Sequence, residues 1–135
     1  MGQIVALDTS IFIYVFEEHS TFGKRAEKIL KQIDQGKQKG ILSVIGMIEL
    51  QTGPKSIGRH DVAARYREIL TTFPNLSIMN LNESIVERTS DLRAKYKIAT
   101  PDAIHLATAI EGGASSFITN DKTLKKVKEI KVILL

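Results

Sequence analysis

The sequence contains no cysteine, and this absence removes several kinds of site at once. Without thiols the chain can form no disulfide framework, no thiolate metal site and no catalytic cysteine. The functions that depend on thiol chemistry are therefore excluded.

Long apolar segments are also absent. No apolar run approaches the ~18 residues that a membrane-spanning helix needs. The first residues carry neither the basic region nor the small-residue cleavage site of a signal peptide. We therefore expect a cytoplasmic protein with no membrane partner.

Aromatic residues do not alternate with basic ones, so the sequence gives no sign of a base-stacking surface. The composition is that of a soluble globular protein, with 43% of the 135 residues hydrophobic and 25% charged. This length predicts one domain, residues 1–135, with a core of its own. The net charge of +4 is compatible with a polyanionic partner, although many basic proteins bind no nucleic acid.

What the sequence does contain is a regular alternation of strand and helix patterns. Short apolar runs typical of buried parallel strands are separated by segments with helical spacing of apolar residues. This alternation predicts a three-layer α/β/α sandwich with a mostly parallel central sheet of about four to five strands. The helix after the second strand is predicted to stop at Gly53-Pro54, before a polar loop at 55–60. The predicted strands are 3–7, 40–44, 76–81, 115–119 and 131–135.

One predicted helix, 100–110, is apolar around most of its surface, which is typical of a buried helix. Thr100 is a good N-cap, and Pro101 suits the first helical position because it has no N–H to satisfy there. Asp102 therefore lies in the first turn of a buried helix. Its carboxylate either complements the helix dipole, worth ~0.3–1 kcal/mol, or points into a cleft and binds a cation.

Four acidic residues are placed where such a fold would gather them. Asp8 follows the first predicted strand and Asp121 the fourth, while Glu49 and Asp102 lie early in helices on the same side. Ligands of parallel α/β sheets bind beyond the carboxyl ends of the strands, so the four carboxylates should meet at one edge. Carboxylates that lie close together repel one another unless a cation sits between them. Ligation by oxygen alone favours a hard ion, Mg²⁺ or Mn²⁺.

Each acid also has a purely structural interpretation. Asp8 could cap its helix, Asp121 could form an Asn-Asp turn, and Glu49 could be a solvated residue. His105, one helical turn after Asp102, has apolar neighbours, so we interpret it as a packing residue. The basic residues after Asp121 fit an exposed helix face better than an RNA contact. They are Lys122, Lys125, Lys126, Lys128 and Lys131.

Four segments resemble, in order, the motifs of PIN-domain ribonucleases, and most closely those of VapC-type toxins from toxin–antitoxin pairs. The resemblance covers essentially the whole chain and implies a PIN-like fold. The segments are Asp8-Thr9-Ser10 after a strand, Ser43 with Glu49 six residues later, TPDAIHLA at 100–107, and Thr119-Asn120-Asp121.

The resemblance implies a metal-dependent endoribonuclease that hydrolyses RNA phosphodiester bonds and leaves a 3′-hydroxyl and a 5′-phosphate. The metal activates a water molecule and balances charge on the phosphate oxygens. Ser10 and Thr119 match polar positions of the family motifs, which gives them water-positioning or ligand-orienting roles. The implied ligands of Mg²⁺ or Mn²⁺ are Asp8, Glu49, Asp102 and Asp121.

The same resemblance implies an RNA substrate, a small antitoxin protein as partner, and a homodimer. The apolar helical segments Ile11–Phe16 and Phe22–Ile33 are candidate surfaces for the dimer or for the antitoxin. The sequence alone does not separate core from interface in either segment.

Two other functions remain open. A PIN-like fold could hold RNA or a protein without cutting, although such a module has little reason to keep mutually repelling carboxylates. Asp8 could be the nucleophile of a phosphatase, but phosphoaspartate enzymes usually carry a second Asp two residues on, where this chain has Ser10.

Overall fold

The computed structural model describes residues 3–135 and shows a five-stranded sheet with parallel pairings throughout. The strands are Ile4–Leu7 (β1), Lys39–Ser43 (β2), Leu76–Met79 (β3), Ser116–Thr119 (β4) and Lys131–Leu134 (β5). Their order in the sheet is β3-β2-β1-β4-β5, which confirms the predicted parallel sheet. Residues 1 and 2, which the one-domain prediction includes, lie outside the described residues.

The described residues form six α-helices and a short 3₁₀ helix at Lys122–Lys126. Within this part of the chain, no helix is both long enough and apolar enough to cross a membrane. The α-helices are Thr9–Phe16 (α1), Gly23–Asp34 (α2), Val44–Ser56 (α3), His60–Thr72 (α4), Glu83–Tyr96 (α5) and Thr100–Glu111 (α6).

Successive residues of β1 face opposite sides of the sheet, as the pleat requires. Ala6 packs in an apolar cluster with residues of α5 and α6. Val5 and Leu7 pack in a second cluster with residues of α1, α2 and α3. The protein is therefore a three-layer α/β/α sandwich, as the alternation of patterns predicted.

The central strand β1 is the point at which the order of strands reverses, with β2 and β3 on one side and β4 and β5 on the other. β1 and β4 pair Leu7 with Ile118, so the next residues, Asp8 and Thr119, lie side by side at the carboxyl end of these two strands. The backbone N–H of Asp8 donates to the carbonyl of Ile118 at 2.9 Å. In parallel sheets the gap beyond such a pair of strands is the usual place for a ligand.

The start of α6 differs by one position from the prediction. Ala99 has extended backbone and is the N-cap, whereas Thr100 is already helical, so Thr100 is not the capping residue. Pro101 lies in the first turn, where its missing N–H costs nothing. Asp102 is in the first turn as predicted.

The predicted end of α3 is wrong, because the helix continues through Gly53 and Pro54 to Ser56. Pro54 lies in the last turn, where its missing N–H removes only one helical hydrogen bond. The carbonyl of Pro54 accepts from the backbone N–H of Arg59 at 2.8 Å, which closes the helix end. Since α4 begins at His60, the predicted loop at 55–60 shrinks to residues 57–59.

Candidate active site

The four predicted acids all lie at the carboxyl edge of the sheet. They are Asp8 after β1, Glu49 in α3, Asp102 in the first turn of α6, and Asp121 two residues after β4. Burial raises the pKa of Asp102 above its usual value, and the charges of Asp8, Asp121 and Glu49 raise it further. The electrostatic interaction with His105 lowers the pKa of Asp102. The structure thus brings the four carboxylates within electrostatic reach of one another.

Asp8 occupies the N-cap position of α1, but its side chain makes no capping hydrogen bond. Its Oδ2 instead accepts a hydrogen bond of 2.6 Å from the hydroxyl of Thr119. The same hydroxyl accepts from the backbone N–H of Asp121 at 3.1 Å. Thr119 is fully buried, so one fixed hydroxyl connects the side chain of one acid to the backbone of another.

Glu49 is held by two buried residues, Thr9 and His105. The hydroxyl of Thr9 donates to Oε1 of Glu49 at 2.7 Å, and Nε2 of His105 lies 2.7 Å from the same oxygen. The hydroxyl of Thr9 and Nε2 of His105 are themselves 3.1 Å apart. The hydrogen bond from His105 lowers the pKa of Glu49, against the opposing effect of burial. Glu49 is therefore an ionised, oriented carboxylate rather than a freely solvated one.

The His105 ring is buried, as expected of a packing residue, but it also contacts a predicted site residue. An ionised carboxylate only accepts hydrogen bonds, so Nε2 must carry the hydrogen that bonds Glu49. The other ring nitrogen, Nδ1, is buried without a hydrogen-bond partner among residues 3–135.

Asp121 and Ser10 complete the site in different ways. Oδ1 of Asp121 accepts from the backbone N–H of Thr123 at 2.9 Å and from its hydroxyl at 2.7 Å. Asp121 thus also forms the local turn that its sequence context allowed.

Ser10 presents a buried hydroxyl that has no hydrogen-bond partner within the described part of the chain.

Residues 5–130 match the PIN domain family. The chain belongs to the PIN domain family. This confirms the family that the four motifs predicted, and the match runs from within β1 through β4 and ends just before β5. Comparison with curated proteins gives no match.

Solved structures with the same fold include several toxin–antitoxin proteins. VapBC2 of Rickettsia felis, bound to a promoter DNA fragment, has a TM-score of 0.79 and 19% identity, covering 98% of each chain. A toxin–antitoxin complex of Klebsiella pneumoniae has a TM-score of 0.74 and 28% identity, covering 96% of this chain and 95% of that one. The sarcin-ricin loop cleaving toxin VapC20 of Mycobacterium tuberculosis has a TM-score of 0.71 and 13% identity, covering 94% and 98%.

The ligand chemistry of this PIN domain fits a hard divalent ion. The site offers carboxylate oxygens, which Mg²⁺ and Mn²⁺ prefer. Burial and, after it, the charges of the other carboxylates raise the pKa of Asp102, and a bound cation would offset the repulsion among those charges. Among residues 3–135, however, no three acidic or histidine side chains lie close enough to hold an ion as they stand. One reason is that Oε1 of Glu49 is turned toward Thr9 and His105. Ion binding therefore requires the carboxylates to draw together.

Thr9 and His105 are the residues of the site that the sequence interpretation missed. Each is adjacent to a predicted acid in a way that is visible in the sequence. Thr9 follows Asp8 directly, and His105 lies one helical turn after Asp102. In each case the sequence signal was a polar residue in an otherwise apolar helix.

The basic segment after Asp121 is tied back to the protein at Lys125. Its Nζ donates to the carbonyl of Val132 at 3.2 Å, so this ammonium is partly occupied by β5. Lys122 and Lys126 are exposed. The segment forms a short 3₁₀ helix, Lys122–Lys126, rather than a regular α-helix.

The two apolar segments proposed as interfaces contribute largely to the core. Ile11 and Phe12 in α1 are fully buried in the second apolar cluster, together with Ala26 and Ile33 of α2. The apolar side chains of these segments that stay half-buried, and so can reach a partner, are residues 13–16 of α1 together with Phe22 and Ile29. The homodimer stays a prediction.

Proposed function

We propose that this PIN domain is a Mg²⁺- or Mn²⁺-dependent endoribonuclease and the toxin of a toxin–antitoxin pair. The observation that carries the proposal is the set of charges around Asp102, whose pKa is raised in part by three other carboxylates. Natural folds rarely retain such a repulsive group of acids without a function for it. The similarity to a toxin–antitoxin complex of Klebsiella pneumoniae, at 28% identity, supports the assignment to a toxin–antitoxin pair.

In this proposal Asp8, Glu49, Asp102 and Asp121 hold the ion. When bound, the ion supplies an activated water and balances the charge that grows on the phosphate oxygens during in-line displacement. Thr119 orients Asp8 through its 2.6 Å hydrogen bond. Thr9 and His105 keep Glu49 ionised and fixed, so less ordering is needed when the carboxylates draw together.

The proposed antitoxin needs a surface from which it can block the site. A cleft of about 380 Å³ lies between α1, α3 and α4, and Glu49 forms part of its wall. Apolar side chains that include Phe16, Ile57 and Tyr66 line the rest, and Ile57 is 77% exposed. A partner segment with apolar residues in this cleft and a basic residue toward Glu49 would cover the acids and exclude RNA.

The test of the activity is RNA cleavage by wild-type protein and by Asp102→Asn, with added Mg²⁺ or Mn²⁺ or with EDTA. We expect metal-dependent cleavage by the wild type and a loss of about 100-fold or more in the variant, since a lost ligand removes several kcal/mol of charge stabilisation. Asp61→Asn is a matched control, because Asp61 is exposed and forms a surface ion pair with Arg59. Equal cleavage by wild type and by an Asp8→Asn/Asp102→Asn double variant would overturn the proposal.

One observation favours a second function, a PIN domain that binds RNA or a protein without cutting. Within the described residues, no three ligand side chains are already gathered for an ion. Under this alternative the wild type binds RNA with the same affinity in Mg²⁺, Mn²⁺ or EDTA and cleaves it in none of them. The cleavage assay above separates the two functions.

A further inference from the structure

Three aromatic rings that are separated in the sequence pack together where α1 ends and α2 begins. Tyr14 lies 4.9 Å from His19 and 5.3 Å from Phe22, measured between ring centroids. His19 and Phe22 are stacked, with 5.3 Å between centroids and 30° between planes. His19 is exposed, while Tyr14 and Phe22 are half-buried. The fold therefore assembles a ring cluster that the linear sequence does not suggest.

The His19 ring has a fixed orientation. Its Nδ1 accepts hydrogen bonds from the backbone N–H groups of Thr21 and Phe22, both at 3.1 Å. The backbone N–H of His19 donates to the carbonyl of Tyr14 at 2.9 Å, and the preceding residue, Glu18, has a left-handed φ of 50°. A loop with this many internal constraints holds the ring in place before any ligand arrives, which lowers the entropy lost on binding.

The ring cluster is joined directly to the candidate active site. The side-chain amide of Asn120 donates to the hydroxyl of Tyr14 at 3.2 Å. Asn120 stands between Thr119, which bonds Asp8, and the predicted ligand Asp121. Along α1, Tyr14 is six residues after Asp8, or about 9 Å at the rise of an α-helix. A few nucleotides of single-stranded RNA bridge that distance.

The charges around the rings suit a nucleic acid. Lys24 and Arg25 follow Phe22 after Gly23 and are exposed, and Lys122 follows Asp121 and is exposed as well. Two acidic residues precede His19: Glu17 lines the cleft between α1, α3 and α4, and Glu18 is exposed. Exposed aromatic faces next to Lys and Arg are the combination that binds unstacked bases and their phosphates.

We propose that the exposed His19 ring, backed by Phe22 and held by Tyr14, stacks on one nucleobase of the RNA beside the cleaved bond. This subsite rests on the proposed ribonuclease function and gives it a contact with the substrate. Since Nδ1 is used by the loop, Nε2 is the ring nitrogen left to donate to a base edge or a phosphate. The contact orders the RNA strand relative to the acids on the other side of Asn120.

The test uses His19→Asn, because an Asn side-chain oxygen can replace Nδ1 as the acceptor in the loop while the ring is removed. Binding is measured in the cleavage-deficient Asp102→Asn background by fluorescence anisotropy, with a short labelled single-stranded RNA. A stacked base contributes ~1–3 kcal/mol, so we expect His19→Asn to weaken binding by about 5- to 150-fold. Phe22→Leu keeps an apolar side chain behind His19 but removes the ring, and we expect it to weaken RNA binding less than His19→Asn does. Thermal unfolding of both variants checks that the loop remains folded.

A second RNA with an abasic site, moved along the strand one position at a time, makes the test specific. If His19 stacks on a base, one abasic position should weaken wild-type binding and have no further effect in His19→Asn, because the two changes remove the same contact. Unchanged RNA binding by His19→Asn, or fully additive losses at every position, would overturn the subsite. If the wild type cleaves RNA in that case, only the subsite fails; an absence of RNA binding and cleavage by the wild type defeats both proposals.

Discussion

Nε2 of His105 lies 2.7 Å from Oε1 of Glu49, although 56 residues separate them in the chain. His105 is on α6, one turn after Asp102, so a single helix carries one acid and also the residue that orients another. The orientation of Glu49 is therefore linked to the packing of α6 against α3. This link makes the pair His105 and Glu49 a direct test of how the site is organised.

Replacing His105 by Ala should lower ribonuclease activity by about 10- to 100-fold, the usual effect of removing a residue that orients a metal ligand. His105→Gln should recover part of the loss, because its amide N–H can take the place of Nε2–H. Weaker Mn²⁺ binding, measured by calorimetry, distinguishes an effect on the ligand from a general loss of stability. Thr108→Val is the control, since Thr108 is buried on the same helix and its hydroxyl donates to the backbone carbonyl of Ile104, away from the acids. If His105→Ala and Thr108→Val bind Mn²⁺ equally well, Glu49 does not depend on His105.

Thr119→Val should impair the site while nearly preserving side-chain volume. The substitution removes the hydrogen bond to Asp8 and leaves the backbone N–H of Asp121 without its acceptor. We expect a loss of ~1 kcal/mol in the free energy of unfolding and a fall in activity of about 10- to 100-fold. Thr119→Ser, which keeps the hydroxyl, should retain most of the activity. Equal activity of the Val and Ser variants in a cleavage assay would contradict this role.

Asp102→Asn should stabilise the metal-free protein at neutral pH. The pKa of Asp102 is raised in the folded protein. A carboxyl group with a higher pKa in the folded state than in the unfolded state destabilises the fold when it is ionised. Removing its charge relieves that cost, so the melting temperature in EDTA should rise above that of the wild type. The difference should shrink as the pH falls through the folded-state pKa, because Asp102 of the wild type then becomes protonated as well.

The control for this prediction is Asp61→Asn. The hydrogen bond from Arg59 lowers the pKa of Asp61, which is the opposite shift, so its replacement should not raise the melting temperature. A melting temperature of Asp102→Asn at or below that of the wild type at neutral pH would contradict a folded-state pKa of Asp102 above its usual value.

Much of the site could be predicted because strand ends are visible in the sequence. Asp8 and Asp121 follow short apolar runs, and parallel strands place their carboxyl ends at one edge. The contacts of Glu49 could not be predicted, since they depend on how α3 meets α6 in the folded core. The ring cluster of Tyr14, His19 and Phe22 was missed for a related reason. The cluster forms because the loop before α2 contains a residue with left-handed backbone, Glu18. The sequence shows neither that backbone conformation nor an alternation of aromatic and basic residues that would suggest a base-stacking surface.

Calorimetric titration with Mn²⁺ shows whether the four carboxylates at the carboxyl edge of the sheet bind a divalent ion. We expect saturable binding to the wild type and to Asp61→Asn, and its loss in Asp8→Asn/Asp102→Asn. Binding should also stabilise the folded wild type by ~2.7 kcal/mol when the free ion reaches about 100 times its Kd. Equal Mn²⁺ binding by all three proteins, or none by the wild type, would mean that these carboxylates do not form an ion site.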